Sequence, residues 1–203
     1  MTRRAITAVA AVAALLAATG PVQAQAQAQA QTPAPSAAAC PELLHQRQPR
    51  LQDEKPIDLC GYSGKVLLVV NTASYCGFTP QYKALETLYQ RYGSRGLVVL
   101  GFPSNDFSQE PGSNEAIADF CENTFNVRFP MFAKSSVKPG AGVVVNPLYV
   151  ALAAKTGQAP RWNFHKYLVS RDGRQVISRP SATDPLSPDF VREVERLLAD
   201  QPG

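Results

Sequence analysis

Two unbroken apolar runs stand in the middle of the chain: Val66-Leu67-Leu68-Val69-Val70, led in by Lys65, and Leu97-Val98-Val99-Leu100-Gly101-Phe102. Short runs rich in valine and leucine, with no polar alternation, read as strands of a parallel sheet covered on both faces. Between them Tyr82, Leu85, Leu88, Tyr89 and Tyr92 recur at steps of three and four, which draws one apolar face on a helix. Thr79-Pro80 marks its start, since threonine can cap free N–H groups and proline tolerates the first helical position. Gly93 or Gly96 supplies its left-handed stop. Strand, helix and strand within about 40 residues make a βαβ unit, whose crossover is right-handed.

The pattern changes on either side of this unit. Upstream, Cys40 to Lys55 reads as irregular or short-stranded, with Leu43 and Leu44 tucked onto the domain. Ile57-Asp58-Leu59-Cys60 reads as a short strand, and Gly61 to Gly64 as a turn into the next. Downstream, Pro103 to Gly112 is a polar loop at the carboxyl end of a strand, the edge where open α/β sheets build sites. Ser113-Asn114-Glu115 opens a helix through Ile117, Phe120 and Cys121. Val127 to Phe132 reads as an edge segment, 135–146 as a Gly/Val loop, and Pro147 as the start of a short helix over 148–154. Lys166 to Ser170, the turn Arg171-Asp172-Gly173-Arg174 and Gln175 to Ser178 form a β-hairpin. Ser187-Pro188 caps a last helix with Phe190, Val191, Val194, Leu197 and Leu198 inward. An alternating α/β stretch finished by a hairpin and a helix matches the thioredoxin fold, an α/β class with a central mixed sheet and helices on both faces. Another small α/β sandwich is the alternative.

The first residues are of a different kind. Met1-Thr2-Arg3-Arg4, an apolar stretch from Ala5 to Ala18 broken only by Thr7, and Val22-Gln23-Ala24 give the basic, apolar and small-residue regions of a secretory signal peptide over 1–24. The apolar stretch is short for a transmembrane helix, so no stable membrane insertion is expected. Residues 25–39, rich in Gln, Ala, Pro and Ser, offer nothing to bury and read as a disordered linker. That leaves one domain over 40–203 and an exported protein, periplasmic or extracellular.

The formal net charge of the 203-residue chain is +4, and two of the arginines lie in the signal region. No basic patch is interleaved with aromatics, which argues against nucleic acid. The chain has four cysteines, at positions 40, 60, 76 and 121, and two histidines, at positions 45 and 165. No C-x-x-C occurs and neither histidine is spaced as a ligand, so a structural zinc site is disfavoured and no metal or cofactor is expected. In an exported protein the default use of cysteine is a disulfide. Four cysteines allow three pairings, and spacing does not choose among them.

Cys76 falls in the turn between the first buried strand and the helix that follows. N–H groups and the positive dipole end at a helix start favour a thiolate there; the plainer alternative is a small buried hydrophobe.

Three stretches resemble the motifs of the glutathione peroxidase family. Asn71-Thr72-Ala73-Ser74-Tyr75-Cys76-Gly77-Phe78-Thr79 is similar to the nucleophile motif. Gly101-Phe102-Pro103-Ser104-Asn105-Asp106-Phe107, followed by Gln109-Glu110-Pro111-Gly112, is similar to the second, and Trp162-Asn163-Phe164 to the third. They stand in the family's order at near-family spacing, over about Leu51 to Leu198. Taken singly, a tryptophan is usually core packing, and Gln109 and Asn163 are loop or cap residues. Their joint placement reverses that reading.

The resemblance implies a thioredoxin fold and a thiol peroxidase with Cys76, Gln109, Trp162 and Asn163 around one point. A Cys76 thiolate would attack the terminal oxygen of a hydroperoxide, hydrogen peroxide or an organic and even lipid one, and become a sulfenic acid. The two carboxamides and the indole N–H are neutral donors suited to stabilise sulfur's charge without quenching it. Cys121, in Asp119-Phe120-Cys121-Glu122, matches the resolving cysteine of the family's bacterial two-cysteine branch, its plain alternative being a buried helix cysteine. It would form a Cys76–Cys121 disulfide that a thioredoxin-like dithiol reduces, with glutathione the poorer donor. With Cys76 and Cys121 given to that cycle, the resemblance implies a structural disulfide between Cys40 and Cys60.

Departures from the family pattern are Asp106 where many relatives carry Gln, Ser104 where many carry Cys, and a loop before Gln109 shorter by one residue. The region between Phe132 and Trp162 lacks the insertion that tetrameric relatives use, which implies a monomer. A peroxiredoxin would need threonine at Ala73, and a disulfide exchanger or copper chaperone a second cysteine near Thr79 or Pro80. A redox sensor that relays oxidation from Cys76 and Cys121 to a partner is the alternative function.

Overall fold

The computed structural model describes residues 40–200. The expected signal peptide (1–24) and linker (25–39) lie outside the described residues, as do residues 201–203 of the expected domain. The two apolar runs form β3 (Val66–Thr72) and β4 (Leu97–Pro103), paired in parallel from Val66↔Leu97 to Thr72↔Pro103. The hairpin strands β5 (Lys166–Val169) and β6 (Val176–Arg179) continue the sheet antiparallel on the other side of β3, giving the order β4-β3-β5-β6. β1 (Arg47–Pro49) and β2 (Pro56–Asp58) form a separate antiparallel ribbon.

Each strand sends successive side chains to opposite faces, and this splits the core in two. Val66, Leu68 and Val70 of β3, Leu97 and Val99 of β4 and Leu168 of β5 pack with α1 (Gln81–Tyr92), α2 (Asn114–Phe125) and α4 (Pro188–Ala199). Leu67 and Val69, Leu100 and Phe102, and Tyr167 and Val169 pack on the other face with α3 (Pro147–Thr156) and with Leu43 and Leu44. Burial of one such aliphatic side chain is worth about 1.5–3 kcal/mol relative to exposure. Cover on both faces explains why β3 carries no polar alternation.

Cys40 and Cys60 are joined by a disulfide, with Cα atoms 5.3 Å apart, inside the usual range. It ties the N-terminal segment to the 3-10 turn Leu59–Tyr62. Closing a loop of this length is worth roughly 3 kcal/mol in the chain-entropy description. His45 also lies beside both sulfurs, but with the sulfurs bonded to each other the group has no thiolate to offer a metal.

Several expected boundaries move. The expected strand over Ile57 to Cys60 stops at Asp58, because the Asp58 carboxylate accepts the Cys60 N–H (2.9 Å) and turns the chain into the 3-10 helix. Gly96, at φ +101°, is the left-handed stop after α1, while Gly93 continues a helical turn. Ser187 precedes α4 with no side-chain cap; its hydroxyl donates to the Asp184 carbonyl (2.8 Å). The edge expected from Val127 to Phe132 reduces to isolated bridges, Met131 with Gly101 and Phe132 with Arg50. Among the described residues no helix is long and apolar enough to cross a membrane.

Candidate active site

β3 ends at Thr72, and the chain makes a compact turn before α1 begins at Gln81. Thr79 does not cap that helix; Pro80, in right-handed helical geometry, precedes it with no side-chain cap. The Thr79 hydroxyl closes the turn instead. It accepts the Cys76 N–H (3.0 Å) and donates to the Ala73 carbonyl (2.9 Å), while the Thr79 N–H bonds the Cys76 carbonyl (3.0 Å). Cys76, 7 % exposed, is thereby held at its backbone from both sides. Its sulfur accepts the Phe78 N–H at 3.4 Å. A backbone N–H aimed at sulfur stabilises negative charge there.

The loop after β4 brings Gln109 against this turn, and its carbonyl accepts the Tyr75 N–H (3.1 Å). Asn163 Nδ2 donates to Gln109 Oε1 (2.8 Å), so the structure brings these two carboxamides into direct contact. That bond fixes the Gln109 amide with its nitrogen as the remaining donor. Trp162 is 42 % exposed, and its ring lies 5.3 Å from that of Phe107. Together with Phe78, His165 and the 180–182 segment it lines a groove of about 760 Å³. Among the described residues, neither carboxamide nor the indole hydrogen-bonds the sulfur; the Phe78 N–H does.

The third motif is held by residues outside the expected set. Asn71, fully buried in β3, donates its side chain to the Trp162 carbonyl (3.2 Å) and accepts the Phe164 N–H on its own carbonyl (2.6 Å). Phe164 sits at φ +61°, unusual for a bulky residue. The buried Lys166 ammonium donates to the Phe164 carbonyl (2.6 Å) and the Ser181 carbonyl (3.2 Å). Neither role is visible in sequence periodicity, though a lysine inside an apolar strand is a signal that could have been followed.

The departures in the second motif turn out to shape its loop. The Asp106 carboxylate accepts the Val137 and Lys138 N–H groups (2.7 and 3.1 Å), and Ser104 Oγ accepts the Asp106 N–H (3.3 Å). Asn105 Oδ1 accepts the Glu110 N–H (2.9 Å).

Cys121 lies on α2, 2 % exposed, and is a free thiol like Cys76. It donates to the Tyr82 hydroxyl at 3.4 Å. Burial pushes the Cys121 thiol up to about 11, with the nearby Glu110 carboxylate adding to the effect and the Tyr82 bond opposing it. In the folded state it is therefore a protonated thiol at neutral pH.

A family model described as glutathione peroxidase matches residues 44–153. A glutathione peroxidase-like peroxiredoxin gpx1 of Schizosaccharomyces pombe is 50 % identical over 139 residues, 66 % of this chain and 85 % of that protein. The hydroperoxy fatty acid reductase gpx1 of Synechocystis is 45 % identical over 157 residues, 72 % of this chain and 90 % of its own. Among solved structures, Trgpx in its apo form superposes with a TM-score of 0.61 at 34 % identity, covering 78 % of this chain and 95 % of that one. A thioredoxin-family thiol:disulfide interchange protein of Chlorobium tepidum, 17 % identical, shares the fold with a TM-score of 0.55, over 75 % of this chain and 92 % of that one.

Proposed function

The chain belongs to the glutathione peroxidase family, and from that premise we propose that it reduces hydroperoxides at Cys76 and is recycled through Cys121 by a thioredoxin-like dithiol. The Cys76 thiolate attacks the terminal peroxide oxygen, the O–O bond breaks, and the departing oxygen leaves as water or alcohol after taking up a proton. Cys76 is left as a sulfenic acid. The Phe78 N–H stabilises the thiolate, and the Gln109 amide nitrogen, its orientation set by Asn163, is the nearby neutral donor for charge developing in the transition state. Trp162 lines the groove together with Phe78, two residues after Cys76.

The observation that carries this reading is the Cys76 turn itself, in which Thr79 fixes the backbone and a main-chain N–H points at the sulfur. The open groove beside Phe78 and Trp162 supports organic hydroperoxides as substrates alongside hydrogen peroxide. A relative named as a hydroperoxy fatty acid reductase supports the same class. The pattern over 1–24 and the Cys40–Cys60 disulfide support export to an oxidising compartment, periplasmic or extracellular. The short region between Phe132 and Trp162 supports a monomer.

A steady-state assay of peroxide consumption tests the function, run in parallel with thioredoxin and with glutathione. Sustained turnover with thioredoxin, a much lower rate with glutathione, and none in Cys76→Ser are the expected results. Oxidation of one equivalent without turnover would point instead to a peroxide sensor that relays oxidation to a partner.

A further inference from the structure

A buried polar group that none of the steps above uses joins the Gln109 loop to the Cys76 turn. Glu110 is 1 % exposed. Its Oε2 accepts the Ser74 hydroxyl at 3.0 Å, two residues before Cys76. Its Oε1 is buried and has no partner among the described residues. In the same interior the Cys121 thiol donates to the Tyr82 hydroxyl, and Thr72 Oγ1, likewise buried and unpartnered, lies beside that hydroxyl. The Glu110 carboxylate is near enough to favour the protonated forms of both Tyr82 and Cys121. Its backbone is pinned: the N–H donates to Asn105 Oδ1 (2.9 Å) and the carbonyl accepts the Lys134 ammonium (3.3 Å).

A carboxylate oxygen left without a donor in a protein interior is costly, and such groups concentrate where they act. We propose that Glu110 is the proton carrier of the resolving step, taking the proton from Cys121 and returning it to the leaving hydroxide. The inference rests on the Cys76–Cys121 reading above. The Glu110 carboxylate removes the S–H proton of Cys121 as α2 loosens, and the resulting thiolate attacks the sulfur of the Cys76 sulfenic acid. The S–S bond forms as the S–O bond breaks, and hydroxide takes the proton from Glu110 and departs as water. One sulfenic acid and one thiol become one disulfide and one water, with no outside reagent. A carrier is needed because a thiol pushed up to about 11 offers almost no thiolate at neutral pH. Burial raises the proton affinity of Glu110 and brings it closer to that task, while Ser74 and Lys134 oppose the rise.

Rapid quench tests this. The full chain is mixed with one equivalent of hydrogen peroxide, trapped with an alkylating agent across a pH series, and its sulfenic acid and disulfide are resolved by mass. In the parent, sulfenic acid is expected first and the Cys76–Cys121 bridge after it. In Glu110→Gln the rate of bridge formation, taken relative to sulfenic acid formation in the same sample, should fall by on the order of 100-fold, the scale of lost acid–base catalysis. Its rising limb with pH should vanish, and Glu110→Asp should recover part of the rate. An unchanged ratio and an unchanged pH profile would overturn the proposal. Should Glu110→Gln fail to fold, Ser74→Ala serves instead. It removes the hydrogen bond that favours the Glu110 carboxylate, and it keeps the other groups facing that residue, Tyr82, Cys121, Asn105 and Lys134. The limb should then move to higher pH, and a limb that stays put overturns the proposal. A parent that accumulates sulfenic acid and never bridges overturns the resolving reading itself, a different result from a parent that bridges at the same rate as Glu110→Gln.

Discussion

Thr79 shows how a residue can be identified correctly and its use misread. As the residue before proline at a helix start it reads as a cap, yet its hydroxyl faces back into the turn and holds Cys76 at N–H and Ala73 at C=O. A threonine hydroxyl serves either purpose, and backbone propensity does not distinguish them. Cys76, Gln109, Trp162, Asn163 and Cys121 were proposed as site residues because they sit in quotable motifs. Asn71 and Glu110 stand in the same motifs but drew no role, and Lys166 stands in none, because each acts through a contact far along the chain: Asn71 on Trp162, Glu110 on Ser74 and Lys166 on Ser181. Gln109→Ala should slow the oxidation of Cys76 by about 100-fold, the scale of losing one aimed donor, and leave reduction by thioredoxin unchanged. Stopped-flow tryptophan fluorescence of each half-reaction measures this. An unaltered oxidation rate would remove Gln109 from the site.

At the scale of elements, the two buried strands, α1, α2, the hairpin and α4 follow from their patterns, because each has a face of strong period or a fully apolar run. At the end of β2 the boundary moves because a side chain diverts the backbone, the Asp58 carboxylate accepting the Cys60 N–H. The segment around Met131 is bound to the sheet by isolated bridges, which no run of alternating residues announces. Those bridges put a demand on β4. A Cβ at Gly101 would lie 2.2 Å from Met131 Sδ and 3.1 Å from the Phe129 ring, so the strand passes under that segment only as glycine. Gly101→Ala should therefore destabilise the protein by about 1–3 kcal/mol, the usual cost of overpacking a filled core. Urea unfolding followed by circular dichroism checks it, and a midpoint equal to the parent's would contradict the packing.

For the whole molecule, the buried basic groups of the hairpin set how stability depends on pH. Burial, with the Lys166 charge beside it, holds His165 down at about 4, and burial holds Lys166 at about 7 against the pull of Asp184. A base with a depressed folded pKa binds fewer protons folded than unfolded, so stability rises with pH between the folded and unfolded values. For His165 that window runs from about 4 to the ordinary histidine value of about 6.5, and for Lys166 from about 7 to about 10.4. Cys121, raised to about 11, has the opposite sign and lowers stability above the ordinary thiol value of about 8.5. The melting temperature should climb from about pH 5 to about pH 8, and Lys166→Met should flatten the part above pH 7. Melts in a pH series decide it; a flat or falling curve in the parent contradicts the burial of both groups.

The division of labour between the two free cysteines is tested most directly by thioredoxin-supported peroxide consumption in Cys121→Ser, set against a single-turnover measurement of Cys76 oxidation in the same variant. Cys76 should still become a sulfenic acid on mixing with peroxide, and sustained turnover with thioredoxin should be lost. Turnover as fast as the parent's would contradict recycling through Cys121 and leave it a buried packing residue of α2.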